Sequence, residues 1–263
     1  METAGYIASL FIGVSLGLIG GGGSILTVPV LVYLFGISPA LGISYSLFVV
    51  GFTSLIGAVN NYRKGFVNFK VAFIFGAASI TTVFTTRKFI IPHVSNVVVE
   101  IGSFQVTYSL LVMVLFAVLM LAASISMLRN KKAVTDEKNT PKKQIGLLLF
   151  YGILIGFVTG FLGAGGGFLL IPSLVILMKL PMRQAIGTSL VIISMNSLIG
   201  FVGDIGRYPI DWKFLLTITS IAIAGVFIGG IFNDKVNAEK LKKGFGWFVL
   251  VMGIYILVKE IFF

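Results

Sequence analysis

Gly20, Gly21, Gly22 and Gly23 stand consecutively in LIGGGGSILTVPVL (18–31), inside a long apolar stretch. Gly163, Gly165, Gly166 and Gly167 repeat the pattern in FLGAGGGFLLIPSL (161–174). Each glycine costs a helix interior about 1 kcal/mol relative to alanine, so each cluster breaks a helix. A half-helix that starts at Ser24 or Gly167 leaves its first N–H groups without internal partners. It also carries roughly half a positive charge at that end. Glycine permits positive φ and lets a ligand approach the bare backbone. The chemistry on offer is anion binding by main-chain amides, with no Lys or Arg required. A nucleotide-binding P-loop is the other glycine-rich cradle. It needs a Lys-Ser or Lys-Thr pair after the glycines, and GGGGSILT has none.

A second set of polar groups follows each cluster. Ser46, Thr53 and Gly57 are spaced by seven and four residues, which puts them on one helical face. Ser189, Asn196 and Gly200 repeat that spacing further on. Hydroxyl and amide donors from Thr53, Ser54, Asn196 and Ser197 suit an oxyanion, whereas Ser46 and Ser189 read as hydrogen-bonding glue between helices. The candidate substrate-binding set is therefore Gly22, Gly23, Ser24, Thr53, Ser54, Gly165, Gly166, Gly167, Asn196 and Ser197. Gly13, Gly17, Gly156 and Gly160 fit close helix packing instead.

The elements that hold these groups are membrane helices. The 263 residues are 57% hydrophobic and 11% charged, with a mean hydropathy of +1.05. A soluble domain carries roughly 25% charged residues, so this surface is not built for water. Apolar stretches of about 20 residues span as helices, and runs such as SLLVMVLFAVLMLAA lack the alternation of a membrane β-barrel.

The chain is a duplication. GVSLGLIGGGGSILTVPVL (13–31) reappears as GFVTGFLGAGGGFLLIPSL (156–174), and the constant offset of 143 residues also pairs SLIG at 54–57 with SLIG at 197–200. The whole chain, 1–263, reads as a single transmembrane domain. It comprises repeat one (5–128), a polar Lys-rich cytoplasmic linker (129–144) and repeat two (145–262). Repeat one holds a broken segment (5–20, then 24–36) and spans near 39–60, 67–91 and 104–128. Repeat two gives 145–162, 167–179, 181–203, 210–232 and 243–262.

The broken segment is either one kinked span or a re-entrant pair that enters and leaves on the same side. Lys and Arg concentrate in cytoplasmic loops. The re-entrant drawing leaves only Arg87, Lys88, Arg207, Lys213 and Lys259 on the outer side. The kinked drawing spreads the cations more evenly, so the re-entrant one is preferred. A re-entrant pair plus three spans is an odd number of crossings, which turns the second repeat over. The expected fold is an all-α polytopic membrane protein of two inverted repeats, each a broken re-entrant helix pair plus three transmembrane helices, with both termini extracytoplasmic. Secondary transporters commonly share that architecture.

Other classes find little support. There is no Cys and a single His, and Arg63, Asp204 and Arg207 fall at span ends rather than inside spans. Nucleophiles, paired acids and metal ligands are thus missing, so no enzyme, metal or cofactor is expected. His93 reads as a surface histidine in an outer loop. The formal net charge of +11 reflects basic cytoplasmic loops, not nucleic-acid binding. The partners expected are a small anion and membrane lipid, with a homo-oligomer left open.

The doubled pattern GxxxGxxGxGGGxxxxPxL, with Ser24 replacing the last glycine in the first copy, resembles the TauE/SafE sulfite exporter family of membrane permeases. The resemblance covers nearly the whole chain. It implies transport of a small sulfur-containing anion (sulfite, thiosulfate, a sulfonate or a related organosulfur compound) across a prokaryotic plasma membrane, with the glycine-rich segments as the site. An anion channel or a non-transporting membrane scaffold is the alternative.

Overall fold

The computed structural model describes residues 2–94, 97–101, 104–128, 141–163, 165–232 and 238–262. Most of the linker expected over 129–144, up to residue 140, lies outside them. The first half consists of α1 (Glu2–Ile19), a 3-10 turn (Gly21–Leu26), α2 (Thr27–Tyr33), α3 (Pro39–Arg63) and α4 (Phe69–Thr85). A π turn (Thr86–Ile90) and a 3-10 turn (Ile91–His93) prolong α4, and a hairpin of β1 (Val97–Ile101) and β2 (Phe104–Thr107) leads into α5 (Tyr108–Leu128). The second half has α6 (Pro141–Leu162), α7 (Gly167–Met178), α8 (Met182–Asp204), α9 (Trp212–Phe232) and α10 (Ala238–Phe262).

Helix starts follow the repeat. Asn68 caps α4 by accepting from the Val71 N–H at 3.2 Å. Its counterpart Asp211 caps α9 by accepting from the Phe214 N–H at 3.0 Å. Such a cap satisfies one of the donors that every helix start leaves open. Among the described residues, five helical stretches are long and apolar enough to cross a membrane: Pro39–Arg63, Phe69–His93, Tyr108–Ile125, Met182–Asp204 and Trp212–Ile231. Outward-facing Phe11, Phe73, Trp247 and Phe262 remain exposed, as a surface that meets lipid requires. The chain is a multi-pass helical membrane protein.

Two expectations about elements need correcting. The span placed at 104–128 begins only at Tyr108, because residues 104–107 pair with β1 in antiparallel register, Ile101 opposite Phe104 and Val97 opposite Thr107. The run Val97-Val98-Val99 is β-branched and favours a strand. The first break does not release a helix at Ser24. Residues 21–26 wind into a 3-10 turn and α2 starts at Thr27. Such a turn satisfies amides through i→i+3 bonds, which in apolar surroundings outweighs leaving them open.

The halves interlock. α1 lies along α9, and α6 lies along α4. Gly13 sits against the backbone of Ala222 and Gly225, while its counterpart Gly156 sits against Ser79 and Thr82. Gly17 faces Val226 and Gly160 faces Val83 and Thr86, so both crossings run parallel with small residues at the seam. The central pair behaves differently. Gly57 of α3 touches Leu190 of α8, Gly200 of α8 touches Leu47 of α3, and Gly51 touches Leu198. As numbering rises on α3 it falls on α8, so these two equivalent helices run antiparallel with reciprocal contacts.

At both breaks the chain doubles back on the helix it has just left. Gly23 packs on Ile12 and Leu16 of α1, and Gly166 packs on Ile155 and Thr159 of α6. A continuous kinked helix would keep residues seven apart about 10 Å from one another. Each break is therefore a hairpin.

The packing predicts opposite outcomes for two alanines in one helix. A Cβ at Gly156 would come within 2.6 Å of the Ser79 carbonyl oxygen, whereas nothing lies within 4 Å of one at Gly146. Gly156→Ala should destabilise by about 1–3 kcal/mol through overpacking. Gly146→Ala should stabilise by roughly 0.5–1 kcal/mol. Thermal unfolding of the purified variants in detergent measures both, and equal shifts would refute the tight α6–α4 seam.

Candidate functional site

The two breaks end their preceding helices in the same way. Gly20 N–H donates to Leu16 O at 2.9 Å, and Gly163 N–H donates to Thr159 O at 2.8 Å. Each of these glycines then takes a positive φ, 80° and 68°. Each also rests on the central helix of the opposite half, Gly20 on Ile186 and Gly163 on Ile43.

Beyond that point they diverge. Gly165 and Gly166 are left-handed as well, at φ 65° and 70°, and Gly166 caps a twelve-residue α7. Leu169 and Leu170 N–H groups both donate to Gly166 O, at 3.0 and 2.9 Å. This leaves the amides of Gly167 and Phe168 without an intrahelical acceptor. In the first half Gly22 and Gly23 lie inside the 3-10 turn, and α2 has only seven residues. The open helix end belongs to α7.

Two hydroxyls flank that end. A Cβ added to Gly165 would stand 3.5 Å from Ser197 Oγ, and one added to Gly166 would run into Thr159 Oγ1. Ser197 and Thr159 are fully buried, and neither hydroxyl has a hydrogen-bond partner among the described residues. A buried hydroxyl left unsatisfied costs about 1–3 kcal/mol, and most such groups in proteins are paired. The Cβ added to Gly165 would also stand 2.7 Å from Val50 and 3.1 Å from Ile193. Those two residues lie near the middle of α3 and α8. The arrangement offers two amides, a helix dipole and two hydroxyls to one acceptor-rich guest.

The remaining candidates fall out unevenly. The turn that holds Gly22, Gly23 and Ser24 packs against α7, so the two breaks meet. Ser24 is buried and already engaged, and its carbonyl accepts from the Thr27 N–H. Ser54, the repeat counterpart of Ser197, is likewise buried with no partner among the described residues. Thr53 spends its hydrogen within its own helix, at 2.6 Å from Val49 O and 3.1 Å from Val50 O. Asn196 Nδ2 donates to Ser79 Oγ on α4 at 2.6 Å. A serine hydroxyl donates as readily as it accepts, so a half-turn of the amide keeps this bond and frees its NH₂. Ser46 donates to Gly163 O at 2.9 Å and ties α3 to the second break. Ser189 instead bonds Ile186 O within α8.

Reading the sequence alone misses four residues. Thr159 and Ser79 replace the apolar repeat counterparts Leu16 and Ala222, and a residue-by-residue comparison of the repeats contains that signal. Arg87 and Asp204, assigned to the outer side and to a span end, are both 1% exposed and form a buried ion pair. Their counterparts are Gly230 and Asn61. The π turn after α4 carries Arg87 inward. His93 is exposed, with Nδ1 2.7 Å from Phe89 O.

The α7 end is sealed from solvent in this conformation. A cleft lined by Gly17, Gly20, Asn60, Asn61, Lys64 and Gly230 measures only about 20 Å³, room for one water. Among the described residues no three His, Cys, Asp or Glu side chains gather where a metal could bind.

The family described as Sulfite exporter TauE/SafE matches residues 6–256. A probable membrane transporter protein of Xylella fastidiosa (strain 9a5c) is 29% identical over 251 residues, covering 94% of this chain and 91% of its own. The probable membrane transporter protein YunE of Bacillus subtilis is 25% identical over 264 residues, covering 93% of each. A probable membrane transporter protein of Haemophilus influenzae is 27% identical over 277 residues, covering 97% of this chain and 95% of its own. No solved structure matches the chain. With a family match across nearly its whole length and relatives of the same extent, the chain belongs to the TauE/SafE sulfite exporter family of membrane transporters.

Proposed function

We propose that the protein is a secondary transporter of a small sulfur-containing oxyanion, bound at the head of α7 between α3 and α8. The observation that carries this reading is the pair of unpaired, buried hydroxyls of Ser197 and Thr159 beside the left-handed Gly165 and Gly166. An oxyanion accepts from hydroxyls and amides at once, and charge-assisted hydrogen bonds are roughly twice as strong as neutral ones. The helix dipole adds attraction without a full cation, which suits a guest that must also be released. The family description supplies the sulfur chemistry. A sealed site flanked by packed helices favours a carrier over an anion channel or a scaffold.

The antiparallel α3 and α8 and the doubled-back breaks support inverted repeats. On that reading the Lys-rich linker is cytoplasmic and both termini are extracytoplasmic, in the plasma membrane of a prokaryote. Gly165, beside the middles of α3 and α8, then sits near the bilayer midplane. The first break contributes Gly22, Gly23 and Ser24 as a supporting wall, with Ser54 beside them from α3, while Thr53 and Asn196 are engaged by Val49 and Ser79.

Purified protein is to be titrated with sulfite, thiosulfate, sulfate, acetate and chloride. With the tightest of these anions, Ser197→Ala and Thr159→Val should each weaken binding by about 0.5–1.5 kcal/mol, roughly two- to tenfold. Thr53→Ala should change affinity by less than about twofold, since its hydrogen bonds stay within α3. A double Ser197→Ala/Thr159→Val protein that folds and binds like the parent refutes the site. Counterflow in proteoliposomes separates carrier from channel.

Orientation is tested with tags at Met1, Lys138 and Phe263. Antibody should reach Met1 and Phe263 from outside intact cells and Lys138 only after permeabilisation. A cytoplasmic carboxyl terminus would remove the inverted repeat.

A further inference from the structure

Arg87 lies one residue step from the α7 site through α6. Its Nη1 approaches Gly160 O at 3.4 Å, and Gly160 follows Thr159, whose hydroxyl faces Gly166. Arg87 Nη2 is paired with Asp204 Oδ2, and both side chains are 1% exposed. The pairing is incomplete. Arg87 Nε, Asp204 Oδ1, Arg207 Nη1, Thr86 Oγ1 and the Tyr108 hydroxyl are all buried and lack partners among the described residues. Arg207 Nη2 donates to Ile91 O at 3.1 Å, and its guanidinium lies 5.2 Å from the centre of the Tyr208 ring. The Tyr108 ring packs edge-on against Phe161, the residue after Gly160, with ring centroids 5.7 Å apart. In the loop after α8, burial raises the Tyr208 pKa and keeps its phenol neutral.

The charges do not balance. Arg87 and Arg207 bring two guanidinium groups to this end of α8, the first paired with the single carboxylate of Asp204 and the second held by Ile91 O, and the surplus equals the charge of a single monoanion. Among these unpaired groups two, Arg87 Nε and Arg207 Nη1, can only donate and one, Asp204 Oδ1, can only accept, while the two hydroxyls can do either. The fold does not demand this pair, because the repeat-equivalent positions, Gly230 in α9 and Asn61 in α3, border a small cleft that Lys64 also lines. A guanidinium binds a carboxylate and a sulfur or phosphorus oxyanion through the same fork of N–H groups.

We propose that Arg87, with Arg207, Thr86 and Tyr108, forms a second oxyanion-binding station next to the α7 site, and that the Asp204 carboxylate occupies it as a tethered substitute for the anion. An oxyanion that arrives displaces Asp204 from Arg87, and Asp204 returns when the anion moves on. The identity of the anion rests on the transport reading above, but the station itself stands on the Arg87 cluster. A tethered carboxylate competes at a high effective concentration, so the apparent affinity for a free anion falls with the fraction of time the station is vacant.

Asp204→Asn removes the competitor at nearly constant shape. Sodium sulfite is the probe, with sodium chloride at equal ionic strength as control, on purified full-length protein in detergent. Asp204→Asn should melt below the parent without sulfite, recover as sulfite is added, and bind one more sulfite per chain. Its affinity at this station should be about tenfold or more above that of the parent. The double variant Arg87→Gln/Asp204→Asn should fold and show no such recovery. An Asp204→Asn protein that gains no sulfite-dependent recovery, whether it starts stable or unfolded, overturns the proposal and leaves the pair as a clamp between α4 and α8. The α7 site is judged separately, by whether Gly166→Ala abolishes sulfite binding to the parent. The extra site in Asp204→Asn should persist in the Gly166→Ala background, so either site can fail without the other.

Discussion

An interrupted helix within hydrocarbon exposes main-chain donors and acceptors that lipid cannot satisfy, at several kcal/mol for each. Everything else in this molecule is arranged around two such interruptions. Neither break faces lipid. Each turns back on its own preceding helix and is pressed against the central helix of the opposite half, Gly20 on Ile186 and Gly163 on Ile43. The two solutions differ. The first break winds its amides into a 3-10 turn, and the second leaves the head of α7 open beside hydroxyls that have no partner among the described residues. A duplicated sequence thus yields one closed and one open helix end.

The same asymmetry appears at the end of α8. A buried ion pair is costly to desolvate, and well-packed apolar residues often replace one without loss of stability. The symmetry-related pair of positions holds Gly230 and Asn61 where this one holds Arg87 and Asp204, one residue of each pair coming from each half. Stability alone therefore gives no reason for the charges. Their nearness to Gly160 and Thr159 puts them in line with the α7 head, so polar capacity is concentrated along one side of a nearly symmetric scaffold.

Much of the fold was legible because duplication writes each rule twice. The glycine clusters, the offset of 143 and the small residues at Gly13 and Gly156 are strong, local signals, and helix packing uses them as the spacing implies. That the chain doubles back at each break was legible only indirectly, through the distribution of lysines and arginines. What was hidden depends on tertiary reach. Whether a helix end opens or winds into a 3-10 turn is decided by neighbours such as Leu16 and Thr159, not by the glycines themselves. Thr53 looks like a donor in sequence, yet its hydroxyl is consumed one turn back at Val49. Arg87 reads as a cation at the outer end of a span because no pattern marks a π turn. Strand β2 was absorbed into a span because its residues run without a break into the apolar helix that follows.

The interlocking of α1 with α9 also governs the order in which the chain can be built. The glycine face of α1 has its partner surface on α9, from Ala222 to Gly230, roughly 200 residues later in the chain. At about 5–20 residues per second, synthesis reaches that surface roughly 10–40 s after α1 leaves the ribosome. Through that interval α1 has lipid, or whatever insertion machinery holds it, in place of its native neighbour. The parallel crossing of α6 with α4 closes sooner, because α4 is already waiting when α6 emerges. The amino-terminal helix is thus among the first segments made and among the last to be locked in, and a nascent chain halted before α9 would carry an unfinished first half.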